Sequence, residues 1–223
     1  MEWRLLSVKQ ETENTKTLRF SPEKKIEFKA GQFFLFHDLV DDIQDCRAYS
    51  ASSSPTEKAI DITVKLVPKP HFSRHLHNLP KNYAIEVEGP FGDFHLDGIP
   101  SEIVLIGAGS GIAPLKSIAQ YVIDKQVQTK VTIIMSAKTD RSKIFRKELE
   151  MWQQQAKITL FVTLTQEQAK YTGRIDAALL QEAVSNFSVP EFFVCGPSLM
   201  VKSVLGMLSQ LGADQSKIHS EKF

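Results

Sequence analysis

Residues 104–115 read VLIGAGSGIAPL. Gly107, Gly109 and Gly111 follow an apolar run and precede a segment of helical spacing. Glycines placed this way let the backbone turn tightly and bring helix N-terminal N–H groups up to a phosphate. Pro114 falls in the first helical turn, where its missing N–H costs little. The spacing departs from G-x-G-x-x-G, because Ile112 stands where the third glycine belongs. By itself the loop therefore reads either as a dinucleotide site or as a structural turn. Cys46 and Cys195 are too few for a four-thiolate iron–sulfur or zinc site. His71, His75 and His77 cluster, but only His71 and His75 have i,i+4 spacing, and no carboxylate or thiolate adjoins them in sequence. No metal is expected there.

The segments that must position these groups have two rhythms. Residues 59–67, AIDITVKLV, alternate apolar and polar, as a half-buried strand does. WRLLSVKQ, TKTLRFSP, GQFFLFHD and AIEVEGPF read as further short strands, and FSRHLHNL (72–79) as one brief helix. This part predicts a small antiparallel β barrel. After Pro100 come continuous apolar runs, EIVLIGA, KVTIIMSA, KITLFVTLT and EFFVCG, separated by segments of helical spacing. A closing strand is expected at KIHSEKF. Such alternation predicts an α/β doubly wound parallel sheet. DGIPS (97–101) supplies turn chemistry, so the expected domains are 1–98 and 99–223.

Lys plus Arg number 27 and Asp plus Glu 26, a net charge of +1 that makes no case for nucleic acid or an anionic membrane surface. No apolar run approaches the roughly 20 residues of a membrane span. The charged start, MEWRLLSVKQ, lacks a signal-peptide core. A reduced, cytoplasmic monomer is the expectation.

Four further motifs, RAYSASSSP (47–55), GPFGDF (89–94), CGPSLM (195–200) and the terminal HSEKF, stand in register with the glycine loop. Together they resemble the ferredoxin–NADP reductase superfamily of FAD-dependent oxidoreductases, over essentially the whole chain. That family's loop has the form G-G-x-G-I-x-P. Gly109, Gly111, Ile112 and Pro114 match it, Ala108 replaces the first glycine, and Ser110 stands where threonine is common.

The resemblance implies a six-stranded antiparallel FAD-binding barrel followed by a parallel nicotinamide-nucleotide domain. In the RAYS motif, Arg47 would pair with the FAD pyrophosphate, Ala48 would follow it, Tyr49 would lie along the flavin, and Ser50 would hydrogen-bond near flavin N5. Val64 and Lys65 would end a strand against the flavin. His71, Phe72 and Ser73 would form a turn and helix start facing the pyrophosphate, with Pro70 in place of a glycine. GPFGDF is read as architecture, with Gly89 and Gly92 turning the chain and Phe94 packing. Gly109, Ser110, Gly111 and Pro114 would hold the nucleotide. Cys195 would lie beside nicotinamide C4, with Gly196 and Pro197 making a tight exit from the strand. Glu221 would lie near both rings, and Phe223 would cover the flavin. The strand ending at 137 should meet the adenosine ribose, where Ser136, Lys138 and Arg174, with Arg141 and Lys143 nearby and Asp140 the only acid, favour NADPH over NADH. Many relatives continue into an iron–sulfur domain, whereas this sequence ends at Phe223, so a single redox centre is expected. The implied activity is hydride transfer from NAD(P)H to FAD and then electron transfer to a ferredoxin-like protein, an oxygenase component or a small-molecule acceptor. A flavin or quinone reductase, and a non-catalytic FAD-holding subunit, remain alternatives.

Overall fold

The computed structural model describes residues 1–68 and 70–223. β1 (Glu2–Thr12), β2 (Thr15–Pro22), β3 (Phe33–Val40), β4 (Ile43–Ser50), β5 (Ile60–Lys65) and β6 (Ala84–Phe91) form one antiparallel sheet in the order β4-β3-β6-β1-β2-β5. Alternation along these strands sends Trp3, Leu5, Phe20, Phe34, Phe36, Ile62 and Val87 into a common core. Trp3 meets Phe34 and Phe36 edge-on, at 4.8 and 5.6 Å. Each such side chain contributes about 1.5–3 kcal/mol by burial, which is ample to roll a six-stranded sheet.

The roll is joined by a narrow seam. The edge strands β4 and β5 meet through one antiparallel bridge, Ala51 to Ile62, and through Ser52 N donating to Asp61 O at 2.7 Å. Ser52, Ser53 and Ser54 are fully buried behind it. Ser53 Oγ accepts from Asp61 N at 2.9 Å, and Ser53 O accepts from Ser117 Oγ at 2.6 Å. The seam is thereby tied to α2 (Ile112–Asp124) of the second sheet.

That sheet contains β7 (Glu102–Ala108), β8 (Lys130–Ala137), β9 (Thr159–Leu164), β10 (Tyr171–Thr172), β11 (Glu191–Gly196) and β12 (Ile218–Lys222). All are parallel, in the order β10-β9-β8-β7-β11-β12. The strands are apolar on both faces. Ile103, Leu105, Ile133 and Phe193 pack with α2 and α3 (Arg146–Gln154). Val104, Ile106, Ile134 and Val194 pack with α4 (Ala177–Ala183) and α5 (Ser198–Gln210). Phe94 of the linking segment packs edge-on against Phe193 at 5.5 Å, the architectural role expected of it. Strand order reverses between β7 and β11, and a crevice forms at the carboxyl ends of strands at such a switch point. Among the described residues no helix is long and apolar enough to cross a membrane.

Candidate active site

A cleft of about 640 Å3 opens where the two sheets meet. Its wall collects the end of β4 (Arg47, Ala48, Tyr49, Ser50), Lys65 at the end of β5, His71–Ser73 at the start of α1 (Phe72–His77), Ser110 of the glycine loop, and Glu221–Phe223 of the tail. Tyr49 stacks on Phe72 with ring centroids 6.4 Å apart and meets Phe36 edge-on at 5.8 Å, which fixes an aromatic surface on the barrel side. Burial pushes its phenol up, so the ring stays neutral. Val64, by contrast, points into the barrel core and does not reach the cleft.

Helix α1 is under two turns long, so the polar groups this corner presents are chiefly side chains. Arg47 is exposed, with Nη1 bonded to the Asp45 carboxylate and to Cys46 O. His71 Nδ1 lies 3.2 Å from Asp45 Oδ2. Ser73 is buried, and its Oγ has no hydrogen-bond partner. An unpartnered buried hydroxyl on a cleft wall suits a phosphate oxygen as partner. The histidines find carboxylates that sequence reading missed, because β3 and β4 supply them: Asp45 for His71, and Asp38 for His75 at 2.7 Å. His77 instead bonds Val64 O at 2.8 Å. Among the described residues no three such groups converge on one point.

The glycine loop leaves β7 as a 3-10 turn, Gly109–Gly111. Gly109 adopts φ +57°, the left-handed region. Ala108 is extended, at φ −142°, so the position where the family carries glycine needs none here. At Gly111 an added Cβ would sit 2.3 Å from Cys195 O, and only glycine lets the loop approach β11 this closely. Ser110 faces the cleft, while Gly109, Gly111 and Pro114 lie behind it. Lys65 Nζ is 3.7 Å from where a Gly109 Cβ would stand. Burial, together with the nearby Lys138, holds the Lys65 ammonium below the usual lysine range.

On the far wall, β12 pairs Glu221 with Cys195 of β11, and Cys195 Sγ lies 4.0 Å from Glu221 Oε2. Burial pushes both groups up, so the thiol stays protonated and the carboxyl resists ionising. Cys195 is fully buried and does not itself line the cleft. Gly196 O accepts from Phe223 N at 3.3 Å, which brings the 59% exposed Phe223 ring to the wall, and Pro197 leads into α5.

Ser136, near the end of β8, and Lys138 and Arg174, just after β8 and β10, lie outside this cleft. Gln166 N donates to Lys138 O at 2.8 Å and Thr163 Oγ1 to Gly173 O at 2.7 Å, which draws the loops together. Asp140 pairs with Lys143 at 2.7 Å and with Arg146. Lys138, Arg141 and Arg174 carry no ion pair among the described residues. Asp140 is not the only acid at this corner: Glu167 Oε2 accepts from Asp140 N at 2.7 Å. Nothing in its spacing marks Glu167, since it arrives from the loop after β9.

The comparisons with known proteins agree with this layout. Residues 2–96 match the oxidoreductase FAD-binding domain and residues 105–205 the oxidoreductase NAD-binding domain. The chain is 31% identical over 232 residues to the glycine betaine monooxygenase reductase subunit of Chromohalobacter salexigens, covering 99% of this chain and 63% of that protein. It thus spans less than two thirds of that relative. In fold it is similar to the FAD/NAD-binding domain of nitric oxide dioxygenase from Vibrio cholerae, at TM-score 0.92 and 23% identity, over 100% of this chain and 98% of the other. It is also similar to a ferredoxin NADP+ reductase from Neisseria gonorrhoeae with bound FAD and NADP, at TM-score 0.86 and 22% identity, over 100% and 98%. With the FAD-binding and NAD-binding models matched in sequence order and the two sheets meeting at one cleft, the chain belongs to the ferredoxin–NADP reductase superfamily.

Proposed function

We propose that the chain is an NAD(P)H-dependent flavoprotein reductase, with residues 1–98 holding FAD and residues 99–223 the nicotinamide nucleotide, that passes electrons to a separate acceptor. The observation that carries this is the convergence of Arg47–Ser50, His71–Ser73, Ser110 and Glu221–Phe223 on one cleft. Bound FAD supplies the redox chemistry, taking up a hydride and releasing electrons. The chain's own residues bind, orient and shield. Arg47, His71 and the Ser73 hydroxyl suit a diphosphate, which FAD has and FMN lacks. The Tyr49–Phe72 pair offers a flat ring an aromatic wall. Ser50 donates a hydrogen bond from the same wall. Glu221, its carboxyl raised by burial beside the Cys195 thiol, offers a proton-exchanging group at the far side. Phe223 shields the cleft from water. Lys65 and Ser110 face the nucleotide from opposite halves.

The likeness to a monooxygenase reductase subunit supports an oxygenase component, or a ferredoxin-like protein serving one, as the acceptor. Two free cysteines, Cys46 and Cys195, fit the cytoplasm. Unpaired Lys138 and Arg174, beside Ser136, favour the 2′-phosphate of NADPH. One observation favours NADH instead: the Glu167 carboxylate beside Asp140 could accept from two ribose hydroxyls. Stopped-flow mixing with each nucleotide tests the whole reading. Flavin absorbance near ~450 nm, a property of the cofactor, should bleach within the turnover time, faster with NADPH. A flavin that neither nucleotide bleaches refutes the reductase reading.

A further inference from the structure

Behind Arg47 and His71 sits a carboxylate that these roles leave unused. Asp45 precedes Arg47 by two residues on β4, so both side chains leave the strand on the same side. The Asp45 side chain is 13% exposed, against 57% for Arg47 and 41% for His71, and unlike them it does not line the cleft. Its Oδ1 accepts from Arg47 Nη1 and, at 2.8 Å, from Cys46 N. Its Oδ2 lies 3.2 Å from His71 Nδ1. The guanidinium is tethered through Nη1 alone, which also donates to Cys46 O at 2.7 Å. Nε and Nη2 make no hydrogen bond among the described residues. His71 is held in the same way through Nδ1, and its Nε2 lies 3.5 Å from Asp41 Oδ2.

We propose that Asp45 is a positioning residue that ties Arg47 and His71 to one carboxylate and so presets an anion-binding corner for the diphosphate of a dinucleotide flavin, an inference that rests on the flavin-binding reading of the cleft. An exposed arginine free on its strand must be ordered when an anion arrives. One already tethered through Nη1 keeps a two-donor edge available and forgoes that ordering. Immobilising one rotamer-rich side chain in advance corresponds to a gain in affinity of roughly three- to tenfold. The carboxylate's own charge works against an anion. Here it is opposed by the guanidinium and the Cys46 N–H, and it stands behind the Arg47 and His71 side chains rather than beside the ligand.

The test compares FAD with riboflavin, which lacks the diphosphate, by fluorescence titration of the full chain freed of flavin. Asp45→Ala should weaken FAD roughly three- to tenfold and leave riboflavin unchanged. Asp45→Asn, which keeps an acceptor for Arg47 Nη1, should recover most of the loss. In an Arg47→Ala background the effect of Asp45→Ala should shrink, because Asp45 acts mainly through Arg47. Asp45→Ala protein that binds FAD as tightly as wild type, or more tightly, overturns the proposal. So does an equal loss for riboflavin, which would mark a merely structural role. Wild-type protein that binds FAD no better than riboflavin would instead remove the diphosphate corner altogether, and with it the cofactor reading beneath the proposal.

Discussion

Gly111→Ala should damage nucleotide use while sparing the flavin. The added Cβ would stand 2.3 Å from Cys195 O, 2.5 Å from Cys195 C and 2.7 Å from Gly196 Cα. All three are backbone atoms, so no side chain can swing aside. Carbon contacts shorter than 3.0 Å are essentially never seen, so at least 0.7 Å of separation is required. Neither partner yields easily. β11 is laddered between β7 and β12, and α2 is anchored by the fully buried Ile112, Leu115 and Ile118. Overpacking of this kind costs about 1–3 kcal/mol, or roughly 2–12 °C in Tm for a chain of this size. The loop that moves is the one proposed to hold the nucleotide. Misplacement approaching 1 Å costs up to about 100-fold in rate, so kcat/KM for NAD(P)H should fall about 10- to 100-fold. Flavin content should be unchanged, because Arg47, Tyr49 and Ser73 belong to the other sheet and the helix that packs on it. Gly206→Ala is the control. It lies exposed within α5 with nothing within 4 Å, and should stabilise by about 0.5–1 kcal/mol. A Gly111→Ala protein with wild-type Tm and kcat/KM would refute the close-approach argument.

Three other substitutions probe the remaining corners. Phe223→Ser should leave Tm nearly unchanged, since the ring is 59% exposed, yet tighten oxidised nucleotide and alter turnover; unchanged nucleotide binding and rate would show a tail without a role. Lys138→Ala with Arg174→Ala should lower kcat/KM for NADPH selectively, by about 2–4 kcal/mol of transition-state binding if both contacts are charge-assisted. Glu167→Gln should leave NADPH use intact, and a Glu167→Gln protein that loses NADH selectively would establish the NADH reading. Burial raises the Glu221 carboxyl, so folding favours its protonated form, and stability is lost as pH rises from the ordinary carboxylate range through the raised value. Glu221→Gln should therefore gain Tm over wild type near ~pH 8 but not near ~pH 4; a difference independent of pH would count against the buried carboxylate.

Both sheets were legible because each carries its own periodicity. Residues 15–22 alternate, whereas 102–108 and 191–196 are apolar throughout, and each forms the kind of strand its pattern predicts. Residues 60–65 also alternate, yet β5 is buried on both faces rather than half-buried, because Asp61 pairs with Arg19 and Thr63 hydrogen-bonds Thr17 and Ser52. β10 was not legible. Two residues cannot show a period, and Tyr171 and Thr172 are strand because they ladder with Thr163 and Leu164. Ser52–Ser54, three small polar residues without a period, are fully buried because their hydroxyls and carbonyls hold the barrel seam to β5 and α2. Of the residues named from motifs, Arg47–Ser50, Lys65, His71–Ser73, Ser110, Glu221 and Phe223 converge on the cleft, whereas Val64, the glycines of the loop, Cys195–Pro197 and the Ser136, Lys138 and Arg174 group do not line it. Their partners could not be named, because no spacing along the chain says that position 45 faces 71 or that 167 caps 140.

Those unread partners decide the electrostatics. Counting motif residues makes both anion corners strongly cationic. The structure places Asp45 against Arg47 and His71 at one corner, and Asp140 against Lys143 and Arg146 at the other, where Glu167 also accepts from the Asp140 N–H. Lys65 is different. It faces Lys138 with no carboxylate in ion-pair range among the described residues, and its ammonium is destabilised for that reason as well as by burial. Lys65, beside the Gly109 turn, is therefore a cation of the cleft wall that no carboxylate offsets among the described residues. An anion bound beside Lys65 would bring its ammonium back toward the usual lysine range. On this reasoning an anion in the cleft gains more from Lys65 than from Lys143 or Arg146, whose charge Asp140 has already taken up.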